Sequence, residues 1–467
     1  MNSTTILGGG LAGLSAGLVL TRAGRRVLVL EREPTLGGLA RTIVRGAFRF
    51  DLGGHRFFTR DKGIEAFLRE LMGGELLSVP RKSQILLRGR YFDYPLRPLN
   101  ALSGLGPWTT VRMLLDYAVE HARHRLRPPA SVSLEDWVVS RFGRTMFEIY
   151  FKGYSEKIWG IPCERVCTEW VEQRIQGLSL GVAIRRALLG SAADLPTLAE
   201  EFLYPALGIG RIAERMREEI EPDGRVVTEA RVERLEHDGG LVEGLAVVRG
   251  GRSCVVEGDE FISTIPLTAL VRTLHPAAPA RVLEAASRLR YRDLVIVAVM
   301  LDRERVTDQT WTYVPGADIP FSRIHEPTNW SAAMAPRGKT LLVTEHFCFS
   351  GDGTWRARDE DLAEMTIGHL GRMGFVDRRE VIDSAVVRVA KAYPVFEVGY
   401  REHYDRVCEY LGRFRNLDIV GRGGTFKYLN MDHAIAAGIE AAERVVRRSG
   451  RERREDLTEP VLARMNA

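Results

Sequence analysis

The stretch Thr4–Arg41 reads TTILGGGLAGLSAGLVLTRAGRRVLVLEREPTLGGLAR. Apolar runs at 4–7 and 26–30 predict two buried strands, and the Ala/Leu-rich residues between them predict a helix, which together make a βαβ unit. The pattern G-x-G-x-x-G, which brings backbone N–H groups close to a pyrophosphate at a helix N-terminus, is formed by Gly8, Gly10 and Gly13. Glu31 ends the second strand, where a carboxylate can accept from a ribose hydroxyl, so the stretch predicts a dinucleotide-binding site.

The residues after the second strand favour FAD as the dinucleotide. The acid is followed by an arginine and a second glycine pair, in the spacing E-R-x-x-x-x-G-G-x-x-R. This run resembles the FAD fingerprint of the glutathione-reductase-type flavoproteins, and Val232 lies in a segment that resembles the strand whose backbone meets adenine in that family. The resemblance implies cofactor contacts at Gly8, Gly10, Leu11, Ala12, Gly13, Glu31, Arg32, Gly38, Leu39 and Val232.

The composition is that of an ordinary enzyme-sized chain. Its 467 residues are enough for two or three hydrophobic cores, because one core rarely serves more than about 250–300 residues. Lys and Arg number 66 against 61 Asp and Glu, and the resulting net charge of +5 does not indicate a nucleic-acid-binding protein. A phosphate-bearing small ligand is compatible with this mild excess of positive charge.

The cysteines and the N-terminus bear on the compartment. Five cysteines are scattered without metal-ligand spacing, so we expect no metal site and free thiols in a reducing environment. The apolar run Thr5–Leu20 is interrupted by glycines and has no basic leader, so we expect neither a signal peptide nor a transmembrane segment. The sequence therefore predicts a cytoplasmic protein.

Strand-like and helical patterns alternate along the chain, which predicts an α/β protein with a discontinuous Rossmann-like FAD-binding domain of glutathione-reductase type. The FAD-binding parts are expected at 1–75, 201–268 and 405–448. A mixed β-sheet substrate domain is expected at 76–104 and 269–404, a helical subdomain at 105–200 and a charged, frayed tail at 449–467. The helices are expected at 106–125, 133–158, 198–220 and 432–448, with a capping box formed by Ser133 and Asp136.

Motifs on the substrate side resemble those of the UDP-galactopyranose mutases over nearly the whole chain. The most specific is Phe151–Gly160, FKGYSEKIWG, which resembles the mutase K-G-Y-T-E-K-x-W-G helix. The segment Asp51–Thr59, DLGGHRFFT, is similar to the one in which a glycine pair and a histidine lie against the flavin. Trp311–Pro315 with Pro320–Arg323 resembles the element that carries a diphosphate-binding arginine, and Gly421–Asp432 resembles a C-terminal mutase motif.

This resemblance implies a flavoenzyme of nucleotide-sugar chemistry within the FAD-dependent amine oxidase/protoporphyrinogen oxidase superfamily. In the mutases, N5 of reduced FAD bonds to the sugar, the nucleoside diphosphate leaves, and the sugar ring recloses at the other size with no net redox change. A planar guanidinium suits the cation clamp that such a path needs on the diphosphate. The implied catalytic residues are His55, Arg323 and Arg422, and further cofactor contacts are Gly54, His55, Arg422, Met431 and Asp432. The implied substrate contacts are Tyr154, Trp159, Arg174, Arg323, Tyr393 and Tyr428, with Tyr154 and Trp159 on either side of a uracil.

One departure from the mutase pattern affects the expected clamp. Bacterial mutases carry an arginine pair after the K-G-Y helix, and the second arginine helps to hold the diphosphate. Here Arg174 matches the first, but Leu178 stands near the second position. Either Arg185 or Arg186 completes the clamp, or the leaving group differs from that of the mutases.

The sequence leaves two other functions open. An FAD-dependent oxidoreductase of the protoporphyrinogen oxidase, phytoene desaturase or amine oxidase type shares the fold and the N-terminal fingerprint, and a non-catalytic FAD-binding scaffold is a more remote alternative. The mutase hypothesis requires a nucleotide-sugar or other phosphorylated sugar as substrate, and it is compatible with an external reductant such as NAD(P)H. The oligomeric state is left open, a homo-oligomer included.

Overall fold

A computed structural model of the chain describes residues 3–87, 89–94, 107–126, 132–169 and 201–465. Its strands are β1 Ser3–Leu7, β2 Arg26–Leu30, β3 Thr42–Arg45, β4 Phe48–Asp51, β5 Leu76–Pro80, β6 Ser83–Leu87, β7 Arg90–Tyr94, β8 Glu201–Pro205, β9 Arg225–Val227, β10 Ala230–His237, β11 Val242–Arg249, β12 Arg252–Glu257, β13 Glu260–Ser263, β14 Leu274–His275, β15 Tyr291–Leu301, β16 Trp311–Tyr313, β17 Arg323–His325, β18 Thr340–Cys348, β19 Val381–Pro394 and β20 Leu417–Ile419. Its helices are α1 Leu11–Arg22, α2 Lys62–Met72, α3 Pro107–Leu126, α4 Leu134–Phe142, α5 Arg144–Met146, α6 Gly153–Trp159, α7 Arg211–Ile220, α8 Leu267–Thr273, α9 Ala280–Arg288, α10 Gly353–Arg356, α11 Asp359–Arg372, α12 Tyr400–Leu411, α13 Gly421–Gly424 and α14 Met431–Met465.

The first layer of the fold is a parallel sheet in the order β20, β13, β1, β2, β9. The strands are short and apolar because helices cover the sheet, and Ile6 and Leu7 have no exposed surface. Helix α1 packs closely against α14: a Cβ atom placed on Gly438 would lie 2.1 Å from the carbonyl oxygen of Ala12. Strands from the start, the middle and the end of the chain build this sheet, so the predicted discontinuous Rossmann-like unit is confirmed.

A seven-stranded sheet forms the second large layer, in the order β19, β15, β18, β17, β16, β6, β7. Its pairs are antiparallel except for β16 and β6, which run parallel, so the predicted mixed sheet is confirmed. All eleven residues of β15 are buried, because the strand lies inside the sheet and both of its faces are covered. A separate four-stranded sheet has the order β12, β11, β10, β14.

The helical segment after residue 132 begins as the sequence predicts. Ser133 Oγ accepts a hydrogen bond from the backbone N–H of Asp136, and the Asp136 carboxylate accepts one from the backbone N–H of Ser133. The capping box is therefore confirmed. The expected single helix at 133–158 is interrupted, because Gly143 has a φ of +83° that ends α4, and a π-helical turn at Phe147–Lys152 precedes α6.

Two further secondary-structure predictions were wrong. We expected a helix at 198–220, but β8 occupies 201–205 and pairs with β5, so only α7 is helical there. Alternate residues of β8 are buried against the core, and this tertiary burial overrides a weak helical pattern. We also expected a frayed tail after residue 448, whereas α14 continues to Met465. Among the described residues, no helix is both long and apolar enough to cross a membrane.

The buried carboxyl group of Asp51, at the end of β4, should make the free energy of unfolding decrease as pH rises. Its carboxylate accepts from Thr42 Oγ1 and Tyr204 Oη, each at 2.6 Å, but burial outweighs these bonds and raises its pKa to about 6. A raised folded-state pKa gives stability that is complete below the unfolded pKa and is lost as pH rises to about 6, a change of roughly 3 kcal/mol. We therefore expect the melting temperature of the wild-type protein to fall relative to Asp51→Asn between pH 4 and pH 7.

The matched control is Asp238→Asn, measured at the same FAD saturation. The backbone N–H groups of Gly240 and Leu241 lower the pKa of Asp238, so its stabilising effect is lost as pH falls, and the slope should have the opposite sign. If the difference between the wild-type protein and Asp51→Asn does not vary with pH, Asp51 does not titrate in this way.

Candidate active site

A cavity of about 1500 Å³ is lined by residues that follow β1 and β2 and by residues of β16, β17 and β19. Ligands of open α/β sheets bind outside the carboxyl ends of the parallel strands, and this cavity begins there. Its volume exceeds the roughly 300–1,000 Å³ that is usual for one drug-sized ligand. The space is therefore large enough for a dinucleotide together with a second molecule.

The glycine-rich turn at one end of the cavity fits a pyrophosphate. Gly8 has a φ of +108°, which favours glycine, and a Cβ on Gly13 would lie 2.1 Å from the carbonyl oxygen of Gly8. Helix α1 then begins without a side-chain cap and without an acid in its first turn. Its first N–H groups are thus available to an anion, and Gly10, Leu11 and Ala12 line the cavity beside them.

Glu31 is held rigidly at the end of β2. Its Oε2 accepts from the backbone N–H of Gly9 at 2.7 Å, and its Oε1 accepts from that of Glu33 at 2.9 Å. The carboxylate lines the cavity, and its contact with a ribose stays a prediction. The other residues predicted to bind the cofactor in this region also line the cavity: Arg32, Gly38, Leu39 and Val232.

The Gly53-Gly54-His55 turn carries the predicted histidine. A Cβ on Gly54 would lie 1.4 Å from Trp311 Cζ3, so only glycine permits this indole to pack against the turn. His55 Nδ1 lies 3.1 Å from the carbonyl oxygen of Gly53 and donates to it, which leaves Nε2 as the acceptor. Burial, together with the positive charges of Arg422 and Arg323, lowers the pKa of His55 to about 4, so the imidazole is neutral at pH 7.

Arg323, at the start of β17, is tied to two neighbours. Its Nη1 donates to Glu345 Oε2 at 2.9 Å, and its Nε donates to Tyr154 Oη at 2.9 Å. Glu345 is 1% exposed, and its other oxygen accepts from the backbone N–H of Gly54 at 3.1 Å. The ion pair therefore fixes Arg323 at the cavity wall while its Nη2 makes no hydrogen bond with the described residues.

Arg422 lies in α13, directly after β20. Its guanidinium carbon is 4.3 Å from the ring centroid of Tyr393 and 4.1 Å from that of Tyr428. Nη1 donates to the carbonyl oxygen of Leu429 at 3.4 Å, whereas Nε and Nη2 are buried with no hydrogen-bond partner in the described chain. The three predicted residues Arg422, Tyr393 and Tyr428 therefore form one cluster in the cavity wall.

Tyr154 and Trp159 have separate aromatic partners. The Tyr154 ring meets Tyr313 edge to face at 5.7 Å, and the Trp159 ring meets Phe396 at 6.2 Å. Trp159 is only 2% exposed and packs in the core, although both residues also line the cavity. The two rings are therefore not a facing pair, and their contact with a base stays a prediction. Arg174, with Leu178, Arg185 and Arg186, lies outside the described residues.

Met431 and Asp432 open helix α14 and line the cavity. Asp432 is the second residue of the helix, and its buried Oδ1 has no hydrogen-bond partner in the described part of the chain. This oxygen lies 3.7 Å from His433 Nδ1, beyond hydrogen-bond distance, and a buried carboxylate oxygen without a hydrogen bond suits a donor on a bound ligand. The predicted closeness of Asp432 to the flavin is compatible with this position and stays a prediction.

The structure also brings in residues to which sequence analysis gave no role. Glu345 supports Arg323, Trp311 packs under the glycine turn, and Arg56 and Arg81 line the cavity without a carboxylate partner in the described chain. A signal for Glu345 was present, because it is the one charged residue in the apolar strand TLLVTEHFC. No cluster of three His, Cys, Asp or Glu side chains in the described ranges could hold a metal ion.

With the glycine turn, the buried acid and the cavity in place, the fold and site define a flavoprotein. A family model for flavin-containing amine oxidoreductases matches residues 11–446, and the chain belongs to this family. Membership implies FAD, and the unsatisfied N-terminus of α1 fits its pyrophosphate.

Individual relatives point to two chemistries. The coproporphyrinogen III oxidase of Mycobacterium leprae (strain TN) is 26% identical over 438 residues, which are 87% of this chain and 90% of that protein. A crystal structure of reduced UDP-galactopyranose mutase superposes with a TM-score of 0.82 at 23% identity and covers 96% of both chains. A putative protoporphyrinogen oxidase from Exiguobacterium sp. 255-15 superposes with a TM-score of 0.73 at 18% identity, over 95% of this chain and 98% of that chain. The resemblance to the mutases is therefore confirmed at the level of the fold.

Proposed function

We propose that this protein is an FAD-dependent enzyme of nucleotide-sugar chemistry, which interconverts ring forms of a sugar or performs a related isomerisation without net redox change. The observation that carries the proposal is the buried guanidinium of Arg422 between Tyr393 and Tyr428. Two buried guanidinium nitrogens without hydrogen-bond partners, Nε and Nη2, cost free energy, and a bound anion would offset that cost.

Arg323 offers the second donor of a diphosphate clamp. Its Nη2 is the free arm of a guanidinium that Glu345 and Tyr154 hold in one orientation. A preorganised donor stabilises negative charge on a departing group without reorganisation at the moment of reaction. We propose that Arg323 and Arg422 together hold the diphosphate, which loses its bond to the sugar in the reaction and regains it afterwards.

His55 has a supporting role in this proposal. Because its imidazole is neutral at pH 7, it can accept a hydrogen bond through Nε2 but does not add a positive charge beside the two arginines. When bound in its reduced form, FAD would supply the nucleophile that the described residues lack. The residues of the chain then bind the sugar nucleotide, orient it and neutralise the diphosphate.

A net oxidation is the second candidate function. The relative that is similar over 87% of this chain is a coproporphyrinogen III oxidase, and the family is one of oxidoreductases. In that case Arg323 and Arg422 would hold an acidic group of the substrate rather than a leaving diphosphate. The two candidates predict opposite behaviour of the flavin.

The deciding experiment follows the flavin absorbance and the sugar nucleotides together, in anaerobic solution. For the proposed isomerase, dithionite-reduced protein should convert UDP-galactopyranose to its furanose form, the oxidised protein should not, and the flavin should stay reduced throughout. UDP-glucose serves as the comparison substrate with the same leaving group. If the reduced protein leaves UDP-galactopyranose and UDP-glucose unchanged, and an added reductant such as a porphyrinogen bleaches the oxidised flavin, the isomerase proposal is wrong.

Arg323 can be tested apart from its ion pair. We expect Arg323→Ala to lower both turnover and stability. The change removes a hydrogen-bond donor to the diphosphate and also leaves Glu345 as an unpaired buried charge. The double variant Arg323→Met, Glu345→Gln should recover the melting temperature, while kcat/KM for the sugar nucleotide stays roughly ten- to hundred-fold low, as the loss of one charge-assisted hydrogen bond predicts. FAD content should be normal in the double variant, and recovery of turnover there would reduce Arg323 to a structural role.

A further inference from the structure

Arg56 follows the predicted flavin histidine and points its charge at aromatic rings. Its guanidinium carbon is 5.0 Å from the ring centroid of Trp311 and 5.8 Å from that of Phe202. It forms no hydrogen bond or ion pair with the residues that the structure describes, and it lines the cavity. Burial and the positive charges of Arg81 and Arg323 disfavour this charge and lower the pKa of Arg56.

Arg81, in the connection between β5 and β6, also lines the cavity. Its guanidinium carbon lies 5.1 Å from the ring centroid of Tyr94, and its buried Nε has no hydrogen-bond partner in the described ranges. Tyr94 lies 4.9 Å from Tyr313, which in turn contacts Tyr154 beside Arg323. A series of contacting tyrosine rings therefore lies between Arg81 and the proposed diphosphate clamp.

The described acids along this part of the cavity are committed to other contacts. Asp61 accepts from the backbone N–H groups of Gly63 and Ile64 at the start of α2. Glu201 accepts from Ser78 Oγ at 2.6 Å. Two arginines thus share one end of the cavity with no described carboxylate to neutralise them, an arrangement that a bound anion would stabilise.

We infer that Arg56 and Arg81 form a second anion-binding subsite, which takes a phosphate or carboxylate of the substrate in addition to the group held by Arg323 and Arg422. The first anion site, the clamp of Arg323 and Arg422, rests on the proposed function. The Arg56/Arg81 subsite does not depend on that function. It narrows the substrate class to compounds that carry two separate acidic groups. The Trp311 ring is a neighbour of both anion sites, because the guanidinium carbons of Arg56 and Arg323 lie 5.0 Å and 5.4 Å from its centroid.

The subsite is tested with inorganic pyrophosphate, which needs no nucleotide recognition. The FAD-loaded Arg422→Met protein, in which the proposed diphosphate clamp has lost a donor, is titrated with pyrophosphate, and the dissociation constant is obtained from the rise in melting temperature. Added to this variant, Arg56→Met and Arg81→Met are each expected to weaken the binding about tenfold or more, as the loss of a charge-assisted bond predicts. The control is Arg69→Met in the same Arg422→Met background, which removes an equal charge from the exposed face of α2, where Arg69 pairs with Glu65, and should leave the binding unchanged.

Normal FAD content identifies the variants that are folded. Because Arg56 and Arg81 lie on separate elements, a single folded variant at either position is sufficient for the test. Pyrophosphate binding that is unchanged when Arg56→Met or Arg81→Met is added to the Arg422→Met protein, in a folded variant, would overturn the subsite. Such a result would leave the diphosphate clamp untouched, because the clamp is tested by Arg323 and Arg422.

Two matched pairs of ligands identify the source of the second acid. UDP-glucuronate is compared with UDP-glucose for a carboxylate on the sugar, and UTP is compared with UDP for a longer phosphate chain. We expect one acidic member to bind at least about tenfold more tightly than its partner, and this preference should vanish in Arg56→Met and Arg81→Met. Absence of any preference in the wild-type protein would overturn the inferred substrate class. If no uridine compound binds while the pyrophosphate result holds, the nucleotide-sugar function fails and the subsite stands.

Discussion

The Gly10→Ala variant is expected to fold with the stability of the wild-type protein but to purify almost free of FAD. Gly10 has extended backbone angles, with φ −78° and ψ 173°, that alanine adopts without strain, and no atom lies within 4 Å of the position that its Cβ would occupy. That open position belongs to the cavity at the start of α1, so the added methyl group would fill space needed by the pyrophosphate. Each phosphate hydrogen bond lost should weaken FAD binding about ten- to hundred-fold.

The matched control is Gly13→Ala, three residues along the same turn. Here the Cβ would meet the carbonyl oxygen of Gly8 at 2.1 Å, so α1 must move away from β1. We expect this variant to lose stability even without FAD, by about 1–3 kcal/mol or more, as overpacking usually does. The measurements are the melting temperature of the apoprotein and the dissociation constant of FAD from flavin fluorescence. A Gly10→Ala protein that keeps its full FAD content would show that the pyrophosphate lies elsewhere.

Replacing Arg422 with methionine should raise the stability of the apoprotein and lower its activity by about a hundredfold or more. Methionine keeps the apolar contact with Tyr393 and Tyr428 but removes a buried charge whose Nε and Nη2 have no partner in the described chain. The same change removes a donor that we assign to the anionic ligand, so kcat/KM for the sugar nucleotide should fall. Opposite signs for stability and activity are typical of functional residues.

Arg413→Met provides the comparison for this prediction. Its guanidinium lies 5.4 Å from the ring of Tyr410 on the exposed surface, so the variant removes a similar cation–π contact outside the cavity. We expect neither its activity nor its stability to change by more than a small amount. The Arg422 assignment would be contradicted by a methionine variant that is less stable than the wild-type apoprotein and yet turns over at the normal rate.

The glycine turn and its two strands could be predicted because their signals are local. Strand, turn, helix and acid follow one another within Thr4–Glu31, and each part is specified by residues next to it in the chain. The capping box at Ser133 was predictable for the same reason. By contrast, β8 was predicted as helix, because its burial depends on pairing with β5, more than a hundred residues away.

The side-chain partners in the cavity wall were even less predictable from the sequence. The motifs indicated Arg323 and Arg422, but they did not indicate that Glu345 would pair with one arm of Arg323 while Nε and Nη2 of Arg422 have no hydrogen-bond partner in the described chain. Nor did they predict that Tyr154 and Trp159 would have different aromatic neighbours, since that depends on how α6 lies against β16 and on the position of Phe396. Side-chain partners of this kind are set by packing between distant elements.

The sequence by itself determined the class of this protein: an α/β chain with an FAD-type dinucleotide turn and substrate motifs that resemble those of the mutases. Periodicity and glycine spacing are sufficient for that, because they act through backbone geometry over a few residues. Only the tertiary structure decided which charges in the cavity are neutralised and which are not. Arg323 is neutralised by Glu345, whereas Arg56, Arg81 and Arg422 have no carboxylate partner in the described chain. Charge compensation depends on distances between side chains that are remote in sequence, and those distances exist only after the two sheets have packed around the cavity.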